Sequence, residues 1–154
     1  MKMSILKTIV LSLLFSSQAN AFQCDEDVFE YLQPAFRLHS ELIDNPNFEI
    51  NKPIGPFGDT PLYLAVASNS PALVCRILKR PDIDVNAYGS TQKTSVLLAS
   101  IDMRMDPRIF KLLIRHPDVD VNIKSEDPFS AQPDTPLNFA IRNDNHEAFT
   151  ALIQ

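Results

Sequence analysis

Sliding the chain against itself shows that Thr60-Pro61-Leu62-Tyr63-Leu64-Ala65 recurs as Thr94-Ser95-Val96-Leu97-Leu98-Ala99 and again as Thr135-Pro136-Leu137-Asn138-Phe139-Ala140, at spacings of 34 and 41 residues. A second phrase interleaves with the first: Pro46-Asn47-Phe48-Glu49-Ile50-Asn51, Pro81-Asp82-Ile83-Asp84-Val85-Asn86 and Pro117-Asp118-Val119-Asp120-Val121-Asn122, its asparagines 35 and 36 residues apart. Two phrases in fixed order with nearly one period define a repeat architecture, in which each unit buries its apolar face only against its neighbours. Thr60 and Thr135 read as helix caps with proline at the first helical position, where a missing N–H costs nothing. Ala65, Ala99 and Ala140 are expected where units approach closely, with Leu62, Val96 and Leu137 pointing into the stack. Leu73, Val74, Ile77 and Leu78, and likewise Ile109, Phe110, Leu113 and Ile114, have the helical spacing of a second helix.

On these phrases the sequence resembles the ankyrin-repeat family, whose unit is a short turn, two antiparallel helices and a projecting loop, with Thr-Pro-Leu-His at the first helix and Asp-Val-Asn before the loop. The resemblance covers about residues 33–154. It implies an all-α fold, an ankyrin-repeat solenoid of stacked helix-turn-helix units with projecting loops. An N-terminal helical cap over residues 22–57 would precede repeats at 58–91 and 92–132 and a shortened C-terminal repeat at 133–154. Two departures stand out. Proline replaces the family's glycine after each second helix, and the histidine of the first phrase is replaced by Tyr63, Leu97 and Asn138, so stability leans on packing.

Residues 1–21 read as a signal peptide: Lys2 and Lys7, an apolar run from Thr8 to Phe15, and a small-residue cleavage site at Ala19-Asn20-Ala21. The apolar run is under half the roughly 20 residues a spanning helix needs. Cleavage after Ala21 leaves 12 basic against 19 acidic residues, a net charge of −7. That sign disfavours nucleic acid and anionic membrane surfaces and favours, if anything, a basic protein partner. The expected location is the periplasm or the exterior, where disulfides form. Cys24 and Cys75 are too few for a disulfide scaffold and lack zinc spacing. One bridge, which would staple the cap to the first full repeat, and two free thiols are both open readings.

No motif for catalysis is present. His39, His116 and His146 have structural readings, His116 as a cation at a helix end. Three glycines in the whole chain leave no phosphate-cradling loop. Asp82, Asp84, Asp118 and Asp120 lack the glycine and distal glutamate of a calcium loop. The expectation is a non-enzymatic protein with no cofactor and no metal.

The resemblance implies a partner surface on the loop tips and first helices: Asp59, Ala67 and Ser68 in the first full repeat, Lys93, Ile101 and Asp102 in the second, Asp134, Arg142 and Asn143 in the third. Tyr88 and Lys124 hold the matching loop position. Tyr88 is either a binding anchor or a packing residue over the next loop. The third loop is the longest and carries Phe129, which reads as a recognition element. The leading functional reading is an exported protein-interaction module acting as a periplasmic immunity or inhibitor protein against a toxic enzyme. The alternatives are a secreted effector binding host proteins and a periplasmic scaffold of an envelope enzyme. No oligomeric state follows from the sequence.

Overall fold

In the computed structural model, the described residues are 43–54, 57–89, 93–102, 104–125 and 133–154. The signal peptide, Cys24, His39 and Phe129 lie outside them. The described residues form six short helices: α1 (Pro61–Ala67), α2 (Pro71–Leu78), α3 (Val96–Ser100), α4 (Pro107–Ile114), α5 (Pro136–Arg142) and α6 (His146–Leu152). Helices this short are marginal alone, so each start is capped. The side chains of Thr60, Ser70, Ser95, Asp106, Thr135 and Asn145 accept from N–H groups of the first turns, and proline opens α1, α2, α4 and α5.

The helices pack as pairs, α1 with α2, α3 with α4 and α5 with α6. First helices meet in the order α1–α3–α5, and α2 meets α4. Between them runs one apolar core containing Leu62, Val66, Val74, Ile77, Leu97, Ile101, Ile109 and Leu113, all at most 2% exposed.

The middle unit is set one residue later than the repeated phrase suggests. Ser95, not Thr94, caps α3, so Ser100 rather than Ala99 matches Ala65 and Ala140. Ser100 is 3% exposed and turns its hydroxyl onto the Leu97 carbonyl at 2.7 Å, while Ala99 is half-buried. Ile101 then matches Val66, and both are fully buried. The expectation of Ile101 as a surface residue is therefore corrected: it is core. The position of the family's histidine falls on Leu98, not Leu97. Residues 101–106 join α3 to α4, whereas residues 68–70 and 143–145 suffice for the other pairs.

Beyond each second helix the turns are tied to one another through asparagine. The Asn51 side chain donates to the Asp82 carbonyl and accepts from the Asp84 N–H at 2.8 Å. Asn86 does the same one unit on, to the Asp118 carbonyl and from the Asp120 N–H, both at 2.8 Å. Arg80, whose side chain is 11% exposed, donates to the carbonyls of Ile43, Asn45 and Phe48 and pairs with Asp82 at 2.8 Å. Arg76 pairs with Asp44 and holds the Asp44 carboxyl below its ordinary range.

The matching residue to Arg80 in the next unit is His116, and it is not the surface cation expected. It is 7% exposed, burial lowers its pKa, and Nδ1 accepts from the Asp118 N–H at 3.3 Å, the arrangement of a neutral ring. Cys75 also departs from its register. Its equivalent on α4, Lys111, is exposed, whereas Cys75 is fully buried and disulfide-bonded.

Candidate functional site

Each loop ahead of a first helix closes through an isolated antiparallel bridge: Ile54 with Asp59, Tyr88 with Ser95, and Ser125 with Asp134. Neighbouring loops are locked together. The Ser95 N–H donates to the fully buried Ser125 hydroxyl at 2.7 Å, and the Tyr88 hydroxyl donates to the Lys124 carbonyl at 3.0 Å. Tyr63, standing where the family has histidine, lays its ring on Gly89, where an added Cβ would come within 2.4 Å of the ring. Glycine is required there by contact, and burial, with help from the Asp59 charge, raises the Tyr63 hydroxyl's pKa. The loop edge is thus one connected surface.

The residues assigned to that surface from sequence divide into two sets. Asp59 and Asp134 are 7% and 6% exposed, because pairing across the hairpin draws the residue before each cap inward; both are removed from the contact surface. The buried Oδ2 of Asp134 makes no hydrogen bond, and the Arg142 guanidinium lies against it as an ion pair. Ser68, Lys93, Lys124 and Arg142 are exposed, while Asp102 and Asn143 are half-buried. Ser68 and Asn143 also serve their own helix ends, turning onto the Ala65 and Phe139 carbonyls. Asp102 is occupied by Arg104 at 3.0 Å. Tyr88 combines both readings offered for it: its hydroxyl is spent on the next loop, yet it remains 43% exposed.

Sequence reasoning missed the apolar part of this surface. Phe57 at the first loop tip is 66% exposed, with Ile54 at 39% and Leu64 on α1 at 37%. Leu64 occupies the fourth place after its cap. The matching places hold Ala99 and Phe139, both half-buried, and Phe139 carries Arg142 5.3 Å from its ring centroid. Leu64 was legible in the repeated phrase but was read as core, since its neighbours Leu62 and Ala65 are. Phe57 had a signal in the turn run Gly55-Pro56-Phe57-Gly58, which puts an aromatic at a loop tip.

A cleft of about 340 Å³ opens elsewhere, at the α3–α4 turn and the start of α6, with Met105, Phe110 and Ala148 in its floor. Its acidic groups are engaged: Asp102 with Arg104, Glu147 with Lys111 at 2.6 Å, Asp144 with His146 at 3.2 Å. Among the described residues no group of three or more His, Cys, Asp or Glu is placed to hold a metal ion.

Residues 57–87, which span the first loop, α1, α2 and the following turn, match the ankyrin repeat family model. This segment is an ankyrin repeat. No curated protein and no solved structure matches the chain. Ankyrin repeats mediate protein–protein binding, so the repeat equips the chain with an interaction module. Among the described residues no helix is long and apolar enough to cross a membrane.

Proposed function

We propose that this chain is an exported, non-enzymatic protein-interaction module, a short ankyrin solenoid of residues 58–91, 92–132 and 133–154 behind a cap, and that it acts as an inhibitor or immunity protein on a toxic enzyme. The observation that carries the binding reading is the exposed apolar series Phe57, Leu64 and Tyr88 on the ankyrin repeat and the loops beside it. Aromatic side chains held on a rigid loop edge are what a protein partner uses as anchors. Export is supported by the signal-peptide pattern of residues 1–21 and by the bonded state of Cys75, since structural disulfides persist in oxidising compartments. The acidic chain would be steered toward a basic target.

The test is capture from the envelope fraction of the source cells with the tagged protein, comparing wild type with a Phe57→Ala, Tyr88→Ala double variant. A stoichiometric partner retained by wild type and lost by the variant is the expected result. Inhibition of that partner's activity would establish the inhibitor role. Equal capture by both would move the site off this surface.

A further inference from the structure

Val66 in α1 and Ile101 in α3 are fully buried, and each of these helices has a following first helix against it. Ile141, the matching residue in α5, is 59% exposed, and Ile153 after α6 is 58% exposed where its match Leu78 is 1%. A cleft of about 190 Å³ lies between them, with Ile141 and Phe149 in its wall. This end face is apolar, but apolarity alone does not name what covers it. The asparagine ties do.

Asn51 and Asn86 each address one carbonyl and one N–H, two residues apart, in the turn of the next unit. Asn122 stands in the same register, has the same support from its own turn, with its N–H donating to Asp120 at 2.9 Å, and is exposed. Its carboxamide meets no other described residue. At the opposite end of the described chain, the turn Pro46-Asn47-Phe48-Glu49 presents the Asn47 carbonyl and the Glu49 N–H in the register of Asp82 and Asp84. No described side chain addresses them. The two ends therefore carry complementary halves of one backbone-reading contact.

We propose that the α5–α6 end face is a head-to-tail docking surface for a second copy of this chain, with Asn122 of one copy reading the Asn47–Glu49 turn of the next. Because donor and acceptor halves lie at different ends, the contact is heterologous and adds copies in series rather than closing a two-fold pair.

The test is sedimentation equilibrium of the purified protein at increasing concentration, up to about 1 mM, with its intact mass measured first. The expected result is a mass that climbs past the dimer. Asn122→Ala, which removes two hydrogen bonds, and Ile141→Glu, which charges the face, should each weaken association at least about tenfold. Both positions are exposed, so thermal unfolding of the monomer should be unchanged. Glu49→Pro removes the N–H at the other end. Tail-blocked Ile141→Glu and head-blocked Glu49→Pro should each be monomeric alone and form a dimer, and nothing larger, when mixed. Three results would overturn the proposal: a monomer at every concentration, a Glu49→Pro protein that still dimerises by itself, or an intact mass exceeding these 154 residues by a further helix pair, which would occupy the face.

Discussion

The middle and last helix pairs are built from the same phrases yet live in different surroundings. Ile101 and Ile141 hold one register position, one sealed between neighbouring helices and the other more than half exposed. The difference teaches that a residue's contribution here is decided by whether a unit follows it, not by its identity. In a repeat architecture the interfaces supply the stability that single units lack.

The largest test of that contrast is truncation at both positions. Ile101→Ala should cost about 2–5 kcal/mol in urea unfolding, the range for opening a cavity in a packed core. Ile141→Ala should cost under about 1 kcal/mol. Equal costs would mean that the end face is covered in solution at the concentration used.

The two ends of the chain can be compared in the same way, because Cys75 adds a covalent tie that the last pair lacks. Reduction, or Cys75→Ser, should lower stability by about 2–4 kcal/mol, read as a drop in melting temperature. With Cys24 as the partner cysteine, Cys24→Ser should match it. A smaller contrast lies in the asparagine ties. Asn86→Ala should cost about 1–2 kcal/mol through two lost hydrogen bonds, and Asn122→Ala close to nothing in the monomer.

The smallest effect concerns pH. His116 is neutral in the fold and its pKa lies below 6.5, so the unfolded chain takes up its proton first. Its contribution is fully present above pH 6.5 and declines as the pH falls from there toward the folded value. His116→Asn keeps an acceptor for the Asp118 N–H, as Asn45 does for Asn47 at 2.9 Å, and should flatten the stability curve across that window.

The repeat phrases made the helix pairs and most core residues legible, because capping threonines, opening prolines and apolar spacing each have a local physical cause. The middle unit was read one residue early for a related reason. Thr94 and Ser95 both carry a hydroxyl and Ala99 and Ser100 are both small, so no local rule separates the two registers. Only packing of Ile101 against the neighbouring helices does. Asp59 and Asp134 were placed on the surface by residue type, yet hairpin pairing buries them. Phe57 and Leu64 were hidden by the converse error of reading apolar as interior. The role of Arg80 depends on carbonyls 32–37 residues upstream, a separation no local window spans.

That grip also orders events during synthesis. The carbonyls of Ile43, Asn45 and Phe48 leave the ribosome before the arginine that will receive them, and at ordinary elongation rates the delay is about 2–7 s. Through that interval the earliest-made of the described turns lacks its side-chain tie. The part of the described chain synthesised first is therefore among the later parts to be closed, and a chaperone or protease meeting the nascent chain would find its opening there.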